Sequence, residues 1–115
     1  MCAEIEERIA TFALRVAKMA ETLPKTVTGR TIAGQVVRSA FSAAANYRAA
    51  GRGRSKAEFI AKSGIAEEEA DETWFWLEMA IRADLVSAEK LSLLTQEAAE
   101  IVAIITSSRI SAKRG

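Results

Sequence analysis

The chain has 115 residues, half of them hydrophobic and 27% charged, and its 16 basic and 15 acidic side chains leave a net charge of +1. This length predicts one domain over residues 1–115, and the composition is typical of soluble globular proteins rather than disordered chains. A single cysteine and the lack of any apolar run of about 18 residues exclude an internal disulfide and a membrane-spanning helix.

The first ten residues, MCAEIEERIA, are acidic. A secretory leader would instead begin with basic residues followed by an apolar core. We therefore expect a cytoplasmic protein that does not contact a membrane.

The spacing of apolar residues predicts four helices, at about 3–22, 29–49, 56–85 and 88–108. Their apolar stripes are Ile5, Ile9, Phe12, Val16, Met19 and Leu23 in the first helix, Ile32, Val36, Ala40, Ala43 and Tyr47 in the second, Phe59, Ala66, Ala70, Trp74, Leu77, Ile81 and Leu85 in the third, and Leu91, Leu94, Ala98, Ile101 and Ile105 in the fourth. No strand-like alternation competes with this pattern. Four helices with short connectors predict an all-α fold, an antiparallel up-and-down four-helix bundle.

Residues with strong positional preferences mark the first helix boundaries. Pro24 disfavours helical geometry at the residue before it and so ends the first helix. The hydroxyl of Thr28 or Thr31 is the candidate cap of the second helix. Ser55 and Glu58 have the spacing of a capping box for the third.

The fourth helix has a candidate cap in Ser87, and we expect the chain from Ser107 onward to fray. Gly64 lies inside the third helix, where glycine costs about 1 kcal/mol relative to alanine. The third helix therefore has a weak point near its start.

The second and third helices carry more apolar surface than one core needs. The additional apolar residues are Val37, Phe41 and Ala44 in the second helix and Phe75, Trp76, Met79 and Val86 in the third. A helix that is apolar almost all round is central in its fold or shared with another chain. Because this chain is short, we predict sharing, with Val37, Phe41, Phe75, Trp76 and Met79 forming the interface of a homo-oligomer. The aromatic run at 74–76 lies mid-helix among aliphatic residues, which favours core and interface over a platform for stacking bases.

Charge is segregated along the chain. Residues 25–62 hold eight basic residues and one acid, whereas residues 67–100 hold ten acids and two basic residues.

A polar stripe spanning about 80° of the second helix consists of Gln35, Arg38, Ser42 and Asn46. We interpret Arg38 as the ion-pair partner of Glu69 or Glu72, with the rest of the stripe completing a hydrogen-bonded seam. The alternative is that Arg38 faces a phosphate or a central channel.

A second group of cations lies at the connector between the second and third helices. It consists of Arg48, Arg52, Arg54 and Lys56, here called the basic loop. Contact with the phosphates of a nucleic acid and a simply solvated loop are equally open interpretations.

No arrangement of residues supports catalysis. The chain has no histidine, no pair of cysteines, no GxxxxGK[ST] motif and no nucleophile placed beside a base. Helical bundles with a carboxylate-bridged metal pair combine Glu with His, and His is absent. We predict a non-enzymatic protein without a cofactor or a metal.

Several motifs in register resemble those of a known family. They are Leu23-Pro24, the residues Ile32, Gln35, Arg38, Ser42 and Asn46, and the segment ADETWFWLE at 70–78. They resemble motifs of the small bacterial four-helix bundle proteins first noticed as products of 23S rRNA intervening sequences. Leu23-Pro24 is similar to the Phe-Pro that ends the first helix of that family, and the second group is similar to its pattern of Leu, Gln, Arg-Ala, Ser and Asn along the second helix. The segment at 70–78 is similar to a third-helix signature of one branch of the family. Where many members read Asn-Ile-Ala-Glu-Gly, this chain has NYRAA at 46–50, so no role of that glutamate carries over to Ala49.

The resemblance implies a left-turning bundle that assembles into ring-shaped homopentamers. A related protein, the accessory variability determinant of diversity-generating retroelements, is a basic pentameric barrel that associates with a reverse transcriptase and nucleic acid. The implied partners are further copies of the chain, RNA or DNA, and a nucleic-acid enzyme. Two functions follow as alternatives: an oligomeric accessory protein that binds RNA or DNA through the basic loop, and a homo-oligomeric protein-protein scaffold without nucleic-acid affinity.

Overall fold

A computed structural model describes residues 2–115, with side chains from residue 3 onward. Its helices are α1 (Cys2–Ala20), α2 (Val27–Gly51), α3 (Lys56–Arg82) and α4 (Ala88–Arg114). No strand occurs in this range, and the predicted all-α four-helix bundle is confirmed. None of these four helices combines the length and hydrophobicity that a bilayer crossing requires.

Successive helices run antiparallel around the bundle. The ring of Tyr47 near the end of α2 lies 6.3 Å from that of Phe59 near the start of α3, and Arg109 near the end of α4 pairs with Glu67 of α3. Packing is most extensive between α2 and α3, and among neighbouring helices it is slightest between α1 and α4. The molecule measures 46 × 21 × 18 Å, consistent with helices of 27 residues.

The core follows the predicted stripes in α1, α2 and α4. Every stripe residue of α2 and α4 is buried, and in α1 only Ile5 and Met19 are partly exposed, although both still pack against the core. These stripes were predictable because their apolar side chains recur every three or four residues, which is the period of a helix.

The predicted stripe of α3 is wrong in part. Phe59, Trp74, Ile81 and Leu85 are only half-buried, whereas Ser63, Thr73 and Ala80 are fully buried in their place. The hydroxyl of Thr73 donates to that of Ser39 of α2 at 2.8 Å, both side chains being fully buried. Small side chains let α2 and α3 approach closely, so the larger residues of α3 are turned to the margins of the contact.

Three predicted boundaries also need correction. The cap of α2 is Thr26, whose hydroxyl accepts from the amide of Gly29 at 3.0 Å, whereas Thr31 donates to its own helix. Helix α3 ends three residues early, because Asp84 adopts a left-handed φ of 60° and the amide of Leu85 then donates to the carbonyl of residue 80. The predicted caps Ser55 and Ser87 are confirmed at 3.1 and 3.2 Å from the amides they accept from.

The third correction concerns the end of the chain. The segment expected to fray from Ser107 is helical up to Arg114. Arg109 holds it against α3, since its guanidinium pairs with Glu67 at 2.5 Å and reaches the carbonyl of Ile60 at 3.4 Å. The expectation failed because this partner is 42 residues away in sequence.

Candidate functional site

The ion pair predicted between α2 and α3 is present. Arg38 donates to both oxygens of Glu69, at 3.0 and 3.3 Å, and to Glu72, while its Nε donates to Gln35 at 2.9 Å. The indole N–H of Trp76 and then the Arg38 guanidinium lower the pKa of Glu72, and the two carboxylates raise the pKa of Arg38. Arg38 therefore links α2 to α3.

The predicted seam is not continuous. Asn46 donates to the carbonyl and the hydroxyl of Ser42, at 2.9 and 3.2 Å, one turn earlier in the same helix. This local pair does not join the network of Arg38. A short amide side chain reaches its own preceding turn more readily than the neighbouring helix.

The basic loop lies at one end of the bundle with its charges exposed. Arg48, Arg52, Arg54 and Lys56 are all exposed, and none forms an ion pair with any residue in 2–115. The other arginines with long-range contacts, Arg8, Arg38 and Arg109, are each held by a carboxylate. The four cations of the basic loop are thus available to an external anion.

Local hydrogen bonds hold the backbone of the basic loop. The amides of Arg52 and Gly53 donate to carbonyls at the end of α2, at 3.1 and 3.0 Å. The amide of Arg54 donates to the carboxylate of Glu58 at 3.2 Å, and Ser55 caps α3. One half of the predicted capping box is present, because the hydroxyl of Ser55 accepts from the amide of Glu58. The other half differs, because the carboxylate of Glu58 accepts from the amide of Arg54 instead of that of Ser55. The guanidinium groups project from a fixed turn.

Sequence reasoning missed two cations at this same end. Because α4 continues to Arg114, Lys113 and Arg114 lie on an ordered helix, at the same end of the bundle as the basic loop, rather than on a frayed tail. The hydroxyl of Thr106 and the guanidinium of Arg109 lower the pKa of Glu67, and Lys113 adds a smaller effect. Helical spacing continuing past Ile105 was the available signal, but the run of small polar residues after it concealed the pattern.

The residues predicted to form an oligomer interface are not fully buried in the chain. Phe41 is 45% exposed and Phe75 50% exposed, and the rings of Phe75 and Trp76 meet edge to face at 5.0 Å. Val37, Trp76 and Met79 are half-buried against the core. Further exposed apolar side chains that the sequence did not single out are Leu14, Val27, Ile65, Leu93 and Ile110.

The acidic segment at 67–72 is engaged by arginines rather than arranged for metal binding. Glu67 pairs with Arg109, and Glu69 and Glu72 pair with Arg38. Within residues 2–115, no three His, Cys, Asp or Glu side chains come together as a metal site. Of the charged groups described above, the cations of the basic loop are the ones suited to binding an external ion, which would be an anion.

Comparison with known proteins places these features in a family. The family described as 23S rRNA-intervening sequence protein matches residues 3–107. A solved structure of a protein with unknown function from the S23 ribosomal protein family of Bacteroides thetaiotaomicron VPI-5482 is 30% identical, with a TM-score of 0.81. The match covers 91% of this chain and 97% of that one. No functionally curated protein shows significant similarity to the chain.

Proposed function

Because the chain belongs to the 23S rRNA-intervening sequence protein family, we propose that it is a non-enzymatic, homo-oligomeric accessory protein that binds RNA or DNA through the basic loop. The observation that supports this most strongly is the exposed, unpaired state of Arg48, Arg52, Arg54 and Lys56 among the described residues. Clustered cations of this kind bind phosphates and release counterions.

Assembly would repeat the basic loop around one face of a ring. The exposed side chains of Phe41 and Phe75 support a contact between copies, since aromatic rings left in water favour burial. The family resemblance suggests five copies. Repetition raises the effective concentration of each further loop once one is bound, so weak individual contacts add up to useful avidity.

A salt titration with matched variants tests nucleic-acid binding. We expect the double variant Arg52→Ala, Arg54→Ala to bind a fluorescent single-stranded RNA less tightly. The slope of log affinity against log salt should fall in magnitude by about 1.4, since each phosphate contact contributes about 0.7. The control variant Lys25→Ala, Arg30→Ala removes the same charge at the opposite end of α2 and should retain the wild-type slope. Absent or salt-independent binding by the wild type would reject this function.

A protein-protein scaffold is the second candidate. It is favoured by the exposed carboxylates of Glu68, Asp71 and Glu78 on α3, none of which is in an ion pair with a described residue. A protein partner with a basic surface, such as a nucleic-acid enzyme, would fit this face. Capture of partners from a nuclease-treated lysate distinguishes the two candidates: partners that survive digestion, together with no RNA binding, favour the scaffold.

A further inference from the structure

Helix α1 has few polar contacts with the rest of the bundle. Among residues 3–115, Arg8 is the one side chain of α1 that forms hydrogen bonds to another helix. It donates to both oxygens of Glu97, at 2.7 and 2.8 Å, and to Glu100 at 2.6 Å. All three side chains are partly exposed, and ion pairs of this kind typically contribute little to stability. The polar attachment of α1 is therefore a single guanidinium group on α4.

The contact between α1 and α4 is loosely packed. Packing there is slightest among neighbouring helices, and two grooves of about 560 and 680 Å³ border it. Phe12 and Glu97 help to line the first groove, and Ile5 and Ile104 help to line the second. Because Ile9 is fully buried, α1 is docked in this structure, but such an edge opens at a lower free energy than global unfolding. The first turns of α1 therefore form an edge of the bundle that opens before the core unfolds.

The same turns bring carboxylates to the basic loop. Glu6 and Glu7 line a groove between α1 and α2 together with Arg48 of the basic loop. Neither carboxylate forms an ion pair with any residue in 3–115. Charges act on one another over about 8–10 Å at ordinary salt concentrations. While α1 is docked, these carboxylates therefore repel a phosphate group that approaches Arg48.

From these features we propose that α1 inhibits the basic loop, and that its first turns separate from α2 and α4 when a nucleic acid binds. This regulation rests on the proposed nucleic-acid binding and acts on the same site. Separation carries Glu6 and Glu7 away from Arg48, so an anion binds the open form more tightly and increases its population. By linkage, a change that loosens α1 raises the affinity of the basic loop.

Thiol labelling of a Cys2→Ser chain tests the movement. Ile9→Cys places a thiol on the buried face of α1, and Ile32→Cys makes the matched change on the buried face of α2, near the other end of the bundle. A small thiol reagent should label the position in α1 on the order of tenfold faster, because local opening precedes global unfolding. Saturating single-stranded RNA should increase the rate in α1 and leave the rate in α2 unchanged. Equal rates at the two positions would overturn the proposed movement.

Neutralising the carboxylates tests their effect on the basic loop. Glu6→Gln with Glu7→Gln should tighten binding of a fluorescent single-stranded RNA roughly two- to fivefold at low salt. The matched control, Glu21→Gln with Glu89→Gln, removes two exposed carboxylates at the other end of the bundle and should leave the affinity near that of the wild type. Circular dichroism and light-scattering mass establish that each variant is folded and assembled.

Loosening α1 without a change in net charge connects the two effects. Arg8→Gln with Glu97→Gln removes the polar attachment and should accelerate labelling in α1 and tighten RNA binding. Because the gain in affinity acts through Glu6 and Glu7, it should disappear once both are already glutamine. A gain that persists in that background would overturn the inhibitory role of α1.

The results also separate this role from the proposed function. RNA binding of the wild type that is unchanged both by neutralising the carboxylates and by loosening α1 would overturn the inhibitory role and leave the basic-loop function intact. Failure of the wild type and of every variant to bind RNA would overturn both.

Discussion

Three glycines in helices illustrate how neighbours decide the effect of one methyl group. A Cβ at Gly29 would lie 2.0 Å from the backbone oxygen of Pro24, whereas one at Gly34 would meet no heavy atom within 4 Å. A Cβ at Gly64 would lie 3.0 Å from the guanidinium of Arg109. The same change to alanine therefore has three different expected results.

We expect Gly34→Ala to raise the free energy of unfolding by about 0.5–1 kcal/mol, because alanine loses less backbone entropy in a helix. Gly29→Ala should lower it by about 1–3 kcal/mol, because the backbone must shift. The change in the free energy of unfolding for Gly64→Ala should lie between these two. Alanine has a higher helix propensity than glycine, but the side chain of Arg109 must move. Urea denaturation at one protein concentration measures all three, and a destabilising Gly34→Ala would indicate that another copy packs there.

The lowered pKa values of ion-paired carboxylates predict how the free energy of unfolding responds to acid. The pKa of Glu97 is lowered by its two hydrogen bonds from Arg8, at 2.7 and 2.8 Å, and those of Glu67 and Glu72 are lowered as well. A lowered folded-state pKa stabilises the protein above the ordinary carboxyl value of 4.5. This contribution to stability is lost as the pH falls below 4.5 and through the lowered pKa values of the folded-state carboxylates.

Urea midpoints measured from neutral pH downward should therefore decrease below about pH 4.5. Glu97→Gln should lower stability at neutral pH by about 1 kcal/mol or less and flatten the decrease, since the pair is partly exposed. Glu68→Gln is the control, because Glu68 is exposed and in no ion pair with residues 2–115. An unchanged profile in Glu97→Gln would show that the pair with Arg8 does not contribute to folding.

At the scale of the element, a few long-range contacts hold the C-terminal part of α4, and those of Arg109 lie nearest to its end. Arg109 bonds to Glu67 and to the carbonyl of Ile60, and Gly64 leaves the space that its guanidinium occupies. The last residues of α4 are exposed apart from Ala112. Among residues 109–114, Arg109 is therefore the one side chain with a hydrogen bond to another helix.

Hydrogen exchange should show protected amides in α4 up to about Arg109 and faster exchange over the last turn. Arg109→Ala should increase exchange from Ser107 onward while leaving the segment around Leu94 unchanged. Arg114→Ala, which removes an exposed cation from the same helix, should have no such effect. Protection that persists in Arg109→Ala would show that another contact, such as a neighbouring subunit, holds the end of α4.

At the scale of the molecule, the exposed aromatic side chains of α2 and α3 predict self-association. We expect light-scattering mass to give a multiple of the 12.4 kDa chain, with five copies as the proposed number. Phe41→Glu with Phe75→Glu should reduce the mass, because charged groups resist burial in an interface. Leu93→Glu, at a 68% exposed site on α4 outside this interface, should leave the mass unchanged. A monomeric wild type would overturn both the ring and its avidity.

The sequence by itself determined the helices, most of the core and the caps Ser55 and Ser87. These follow from local chemistry, since the periodicity of residues such as Leu91 and Leu94 and the hydroxyl of a cap act within one or two turns. The pairing of Arg38 with Glu69 and Glu72 was also predictable, because opposite charges recurred on two helices that had to pack together.

Tertiary structure alone decided which face of α3 is buried, how α4 ends and where a groove lined by Ile5, Tyr47, Phe59 and Ile104 forms. The close contact of Thr73 with Ser39 turned Trp74 outward, and Arg109 found Glu67 from a distant part of the chain. The groove requires residues from all four helices and a slight contact between α1 and α4. Such features depend on how the helices approach one another. That approach is set by side-chain size and by contacts between residues far apart in sequence, which local patterns do not show.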